Sequence, residues 1–308
     1  MTHFADRLAD AVRRCGNPLC VGLDPRWESL PREIRDRHKG ESLAQVAAAF
    51  EEFGTRVIDI VSGRVPILKP QAAFFEACGP DGFRAMGRLL DHARSRGILT
   101  LLDSKRGDIA STASAYADAA FAGTTVSGRV HPVWQADALT VNPYLGRDAV
   151  EPFIAAARRV GAGVFVLVRT SNPGAGLFQD LLVKSDGLDR PLYQHVGAAV
   201  AGWARENIGA CGFGDVGAVV GATYPAEMAV LRAQMPEVVF LVPGFGAQGG
   251  TAEDTRPAFR VDGLGAAVNR SRGITFPFSP DAADWEVRIE AALDATIAAL
   301  EPLCRPSV

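Results

Sequence analysis

Cysteine is scarce and scattered in this 308-residue chain: Cys15, Cys20, Cys78, Cys211 and Cys304 form no Cys-x-x-Cys pair and have no histidine cluster beside them. Neither a disulfide framework nor a bound metal is therefore expected. An excess of one charge is missing too, since the net charge is −3 with 22% charged residues, so no basic face for nucleic acid is implied. Nowhere do 18 apolar residues run together, and the opening stretch MTHFADRLADAVRRCG lacks the apolar core of a secretory signal. A soluble cytoplasmic protein is the expectation, with no membrane partner. The five histidines, His3, His38, His92, His131 and His195, fall outside every motif below and are expected on surfaces or loops.

What the chain does have is apolar material for a large core, 48% of its residues. Length alone would favour about two domains. A different organisation follows from eight short apolar runs that end in polar, Gly or Pro residues: Leu19 to Asp24, Val65 to Lys69, Leu99 to Asp103, Ala138 to Asn142, Gly163 to Thr170, Val216 to Thr223, Val238 to Pro243 and Gly265 to Asn269. Uninterrupted apolarity suits strands buried on both faces, as parallel strands are. Between the runs lie stretches with helical spacing, such as Val46, Phe50, Phe53, Val57 and Ile60, or Ile289, Leu293, Ile297 and Leu300. Eight alternating β/α units predict an α/β fold of one kind, a single (β/α)8 TIM barrel spanning residues 1–308 with loop insertions. Three stretches, 25–40, 123–135 and 172–188, fit neither strand nor helix and read as extensions of the barrel, the third placed where a substrate lid would sit. Trp203 and Trp285 fall in helical patterns and read as packing against the barrel.

In such a barrel the reactive residues stand at the C-terminal ends of the strands. Here those ends are charged: Asp24, Lys69, then Asp103 with Lys105 and Asp108 close behind in LLDSKRGDI. Alternation puts Asp103 and Lys105 on one side of an extended segment, facing the barrel mouth. A rim ion network would explain one Asp/Lys pair. Four charges on adjacent strand ends, each held by its opposite, point instead to a site. After the seventh run comes PGFGAQGG and after the eighth NRSRGI, where barrels commonly bind phosphate through backbone amides and an arginine. A Gly-rich turn taken alone is usually just a turn, and Ser171 alone would read as a loop or cap hydrogen bond.

Together these segments, with ILKPQAAFFEACG, LLDSKRGDIASTASAYA, GLDPR, VRTSNPGAG and VPGFGAQGG, resemble orotidine 5'-phosphate decarboxylase, in particular its longer bacterial form (type 2), in order and over nearly the whole chain. The resemblance implies a carboxy-lyase that converts orotidine 5'-phosphate to uridine 5'-phosphate with no cofactor and no metal. Lys105 would stabilise and protonate the carbanion at C6, and Asp103 would sit beside the substrate carboxylate. Lys69 and Asp24 would hold the ribose hydroxyls. Asp108, with Ile109 and Thr112 beside it, would enter the site of a neighbouring subunit, so a homodimer is implied. Ser171 would read the pyrimidine edge, Gln248 would reach the phosphate beside Pro243, and Arg272 would grip the phosphate, although alternation sends Arg270 to the same side and pattern does not separate the two arginines.

Two enzymatic rivals share parts of this pattern. One is a magnesium-dependent sugar-phosphate decarboxylase or aldolase of the same barrel superfamily, which would want a further carboxylate on the metal. The other is a Schiff-base aldolase using Lys69 or Lys105, disfavoured because flanking carboxylates keep an amine protonated. A non-catalytic barrel that binds a phosphate ligand is the third alternative, and it would have no need of two buried charge pairs.

Overall fold

Residues 2–185, 187–246 and 249–306 are described by a computed structural model. Eight parallel strands, β1 (Leu19–Leu23), β2 (Ile67–Pro70), β3 (Leu99–Arg106), β4 (Ala138–Val141), β5 (Gly163–Arg169), β6 (Val216–Val220), β7 (Phe240–Val242) and β8 (Ala266–Arg270), pair in chain order, and β8 closes on β1. The eight apolar runs and the eight barrel strands coincide. The (β/α)8 fold is therefore present, with the closing register set by Leu19 opposite Val268 and Cys20 opposite Asn269.

Period two divides each strand between two hydrophobic layers. Val21, Leu68, Leu102, Leu139, Val166, Ala218 and Val268 point outward and pack under the surrounding helices. Cys20, Ile67, Leu101, Ala138, Phe165 and Ala267 point inward and fill the lower barrel. Helix α1 (Phe4–Cys15) closes that end: Phe4, Leu8 and Val12 join the inner layer, and the Phe4 ring meets Phe165 edge-on at 5.9 Å. Gly163 makes room for it, since a Cβ there would lie 2.3 Å from the Phe4 ring. Trp203 and Trp285 are buried, the latter 5.7 Å from Phe53.

The three stretches read as irregular carry regular structure. Residues 25–40 hold a 3-10 turn (Trp27–Ser29) and a short helix (Arg32–His38). Residues 123–135 form a hairpin of Thr124–Val126 and Arg129–His131, and the third stretch continues through a short helix (Gly176–Gln179) into a second hairpin, Leu182–Ser185 with Leu188–Pro191. Their segments are only three to seven residues long, too short for hydrophobic periodicity to declare itself. No helix among the described residues is long and apolar enough to cross a membrane.

Because α1 is the plug under the inner layer, Phe4→Ala is expected to cost roughly 3–5 kcal/mol, the usual range for emptying a buried aromatic site. Chemical denaturation at neutral pH measures it. Ligand affinity of the folded fraction should stay within about twofold, because the cavity lies at the opposite end of the strands.

Candidate active site

Two residues further along four of the eight strands from the inner apolar layer, the lining becomes polar, while Leu167, Val219 and Leu241 keep the opposite wall apolar. Ile67 leads to Lys69, Leu101 to Asp103, Ala138 to Thr140 and Ala267 to Asn269. These four side chains line a cavity of about 430 Å³ at the C-terminal ends of the strands, together with Lys105, Ser171 and Pro243. Five of the residues expected from sequence thus meet in one place.

Asp103 is its centre. The carboxylate is 5% exposed, and each of its oxygens takes two donors. Oδ1 accepts from Lys105 Nζ at 2.6 Å and from the Thr140 hydroxyl at 2.9 Å; Oδ2 accepts from Lys69 Nζ at 2.6 Å and from Gln71 Nε2 at 3.0 Å. Burial pushes the Asp103 carboxyl up, but Lys69 and Lys105 outweigh it and hold the group well below the usual carboxylate range. For Lys69 burial pushes down, and Asp103 and Asp24 outweigh it to leave the ammonium above its ordinary value. Both groups therefore stay charged from about pH 4 to about pH 10. Beneath them burial raises the Cys20 thiol to about 12, a mark of how dry the cavity floor is.

Lys105 is not delivered by plain alternation. Between the pairs Leu102–Leu139 and Arg106–Val141 the ladder of β3 and β4 slips, so β3 carries extra residues there. Lys105 occupies this bulge with φ +48°, a left-handed conformation unusual for a lysine. Its backbone N–H and that of Ser104 both donate to Thr140 Oγ1, at 2.9 and 3.1 Å.

The remaining expected residues are spread more widely. Asp24 sits at the end of β1 with Oδ1 buried and unpartnered among the described residues, close enough to act on Lys69. Asp108 accepts from the Ile109 backbone N–H at 2.8 Å, and Ile109 and Thr112 are exposed at the start of helix α2 (Ala110–Ala120); none of the three lines the cavity of its own chain. Gln248 lies outside the described residues. Arg272 is exposed, whereas Arg270, which has the outward parity of Val268, is half-buried between the barrel and the last helix and packs behind both Gly-rich turns: a Cβ on Gly273 would lie 2.5 Å from its Nε, and one on Gly246 would lie 3.5 Å away. Arg270 Nη1 donates to Thr296 Oγ1 at 2.6 Å, and burial pulls its guanidinium down with no carboxylate opposing. The two arginines that pattern left together are thus separated.

Sequence reading missed Thr140, Gln71, Asn269 and an arginine brace. Arg169 is 1% exposed at the end of β5, bonded to Glu227 and Asp180 and stacked 4.2 Å from the Tyr224 ring. Its neighbour Thr170 donates its backbone N–H to Gln179 Oε1 at 3.0 Å, which fixes the segment carrying Ser171. Gly221 lets that segment lie close, because a Cβ there would meet Ser171 Cβ at 2.8 Å. A charged residue inside the run GVFVLVRT was the available signal for Arg169; Thr140, inside ALTV, looks like an ordinary strand residue.

Comparison with known proteins gives a consistent result. The sequence profile of the orotidine 5'-phosphate decarboxylase / HUMPS family matches residues 17–283. A protein of Rhodopirellula baltica named orotidine 5'-phosphate decarboxylase is 48% identical over 299 residues, 95% of this chain and 97% of that one. One of the same name from Halobacterium salinarum is 40% identical over 274 residues, 89% of each chain. The solved structure of Leishmania donovani OMP decarboxylase matches with a TM-score of 0.75 at 34% identity, over 98% of this chain and 99% of that one.

Asp103→Asn would leave Lys69 buried without its carboxylate, and a loss of roughly 3 kcal/mol at pH 7 is expected, the lower end of the range for breaking a buried pair. The native carboxyl is depressed, so its contribution is complete above the ordinary carboxylate pKa near ~4 and disappears as pH falls through the folded value. Urea denaturation of both proteins between pH 7 and pH 3 should show the gap closing below about pH 4.

Proposed function

Since the chain belongs to the orotidine 5'-phosphate decarboxylase / HUMPS family, we propose that it decarboxylates orotidine 5'-phosphate to uridine 5'-phosphate, with residues 1–308 acting as one barrel unit and with Lys105 as the proton donor. The observation that carries this reading is the pair of ammoniums, Lys69 and Lys105, each 2.6 Å from the one buried carboxylate at the cavity floor. As the bond from C6 to the carboxylate breaks, CO₂ leaves and the electron pair stays on C6. The Lys105 ammonium meets that charge as it forms and transfers a proton to C6, and the neutral amine then regains a proton from solvent. A preorganised cation, tethered to a buried carboxylate, needs no rearrangement at that moment.

Roles for the other residues follow from their places. Lys69 and the unpartnered Asp24 oxygen suit ribose hydroxyls, which donate and accept. Ser171, on the braced segment, suits the pyrimidine edge. Arg272, exposed at the start of the short helix after β8 (Arg272–Thr275), and Gln248, in the sequence segment PGFGAQGG, would hold the phosphate; contacts to that non-reacting group supply binding energy usable at C6. Asp108, Ile109 and Thr112 do not line their own cavity, and Ile109 and Thr112 are exposed, which favours their service in a neighbouring subunit's site and hence a homodimer.

The magnesium-dependent alternative fits the donor set poorly. Asp103 offers no free oxygen, because its four acceptor positions are taken by Lys69, Gln71, Lys105 and Thr140. Among the described residues no group of three or more His, Cys, Asp or Glu side chains is arranged to hold a metal.

Loss of the orotate absorbance on addition of orotidine 5'-phosphate, in excess EDTA, is the direct test; abolition of turnover by EDTA would favour the magnesium reading. Lys105→Ala should fold normally and lose turnover by roughly 10⁴-fold or more, because one group supplies both charge stabilisation and the proton. Arg272→Ala should instead raise KM more than it lowers kcat. Mixing Lys105→Ala with Asp108→Ala protein should recover about a quarter of native activity if sites are shared, since half the random dimers would hold one intact site of two. No recovery would count against the shared site.

A further inference from the structure

We propose that Thr140 is the positioning residue that sets the orientation of the Asp103–Lys105 pair, acting through a single hydroxyl at both ends of that pair. The inference rests on the reading of Lys105 as proton donor and extends it to a residue on the neighbouring strand.

A threonine hydroxyl has one proton to give and two lone pairs to receive with. In this structure all three are used. The proton goes to Asp103 Oδ1 at 2.9 Å, and the lone pairs take the backbone N–H groups of Lys105 at 2.9 Å and Ser104 at 3.1 Å. Thr140 is 1% exposed, so these are bonds made away from bulk water, where an unmade one is costly.

The two acceptor bonds fall where the backbone most needs them. Ser104 and Lys105 lie in the bulge between Leu102 and Arg106, where their N–H groups have slipped out of the ladder with β4. The positive φ of Lys105 is disfavoured for a side chain with a Cβ and persists only where surrounding contacts enforce it. Thr140 replaces the lost ladder bonds with side-chain ones. The donor bond meanwhile fixes the rotation of the Asp103 carboxylate, and with it the oxygen to which Lys105 Nζ is tethered. One atom thereby controls where the Lys105 side chain begins and where its ammonium ends. Valine has the same shape and none of these bonds; serine keeps all three and loses only a methyl.

The test compares Thr140→Val, Thr140→Cys and Thr140→Ser with the native protein on orotidine 5'-phosphate, measuring kcat, KM, affinity for uridine 5'-phosphate and the thermal midpoint. For Thr140→Val we expect kcat to fall about 10²-fold, the scale of a misplacement near 1 Å, with KM and product affinity within about threefold. Thr140→Ser should return kcat to within about fivefold of native, and Thr140→Cys, whose thiol bonds weakly, should resemble the valine variant. If Thr140→Val does not fold, the serine and cysteine variants decide alone. A kcat for Thr140→Val or Thr140→Cys near the native value, or a serine variant as slow as the others, overturns the proposal, as does a drop in thermal midpoint with kcat per folded molecule unchanged. Lys105→Ala run in parallel separates the two levels: an inactive Lys105→Ala beside a native-like Thr140→Val sinks the role of Thr140 alone, whereas a fully active Lys105→Ala sinks the reading beneath it.

Discussion

The buried carboxylate of Asp103 is the constraint around which the upper barrel is arranged. A lone carboxylate at 5% exposure would take up a proton; this one stays ionised because two ammoniums and two neutral donors converge on it. Those donors come from β2, the turn after β2, β3 and β4, so three strands must close at the right stagger before the carboxylate is satisfied. Barrel closure and charge placement are thus one requirement. The ammoniums outnumber the carboxylate they share, which leaves positive charge facing the cavity, and Asp24 beside Lys69 partly balances it. A site of this kind receives an anionic substrate and is already polarised for charge that forms later.

How much of this was legible in the sequence varied with scale. Eight uninterrupted apolar runs gave the strand count, because a strand buried on both faces has no polar residues to interrupt it. Charges at the ends of such runs stood out for the same reason, which is why Lys69, Asp103 and Lys105 could be found. Thr140 could not be found by its type, and Asn269, though it ends the eighth run, carries no charge to single it out. Both fit a step: each lies two residues beyond an inward-facing core residue, Ala138 and Ala267, and counting by two from the inner layer also reaches Leu167 and Leu241, so it identifies the cavity lining more completely than taking the last residue of each run.

Two features lay beyond either rule. The bulge at Ser104 and Lys105 depends on the pairing of β3 with β4, and nothing in LLDSKRGDI announces a positive φ at a lysine. Alternation placed Lys105 on the correct side, but the physical means is a slipped ladder held by a neighbouring hydroxyl. Likewise the two arginines of NRSRGI were equivalent by pattern, and only packing distinguishes them: Arg270 packs behind glycines at 246 and 273 against the last helix while Arg272 stays exposed. Arg270 then adds an uncompensated positive charge behind the proposed phosphate turns, so the anion would meet one guanidinium directly and feel a second through the backbone.

The energetics argue that these charges are kept for chemistry and not for stability. Replacing a buried ion pair with well-packed apolar side chains is often neutral or stabilising by about 1–4 kcal/mol, and a positive φ on a non-glycine residue costs on the order of 1–3 kcal/mol more. The barrel could lose Lys69, Asp103, Lys105 and the bulge together and be no less stable for it. What it would lose is the fixed position of an ammonium held against a buried carboxylate. The apolar layers beneath, sealed by Phe4 against Phe165, lie at the far end of the strands and are continuous with the outer core only through the backbone. Stability is thereby concentrated below and strain above, and the polar layer can be held in an arrangement that its own interactions would not favour over apolar packing.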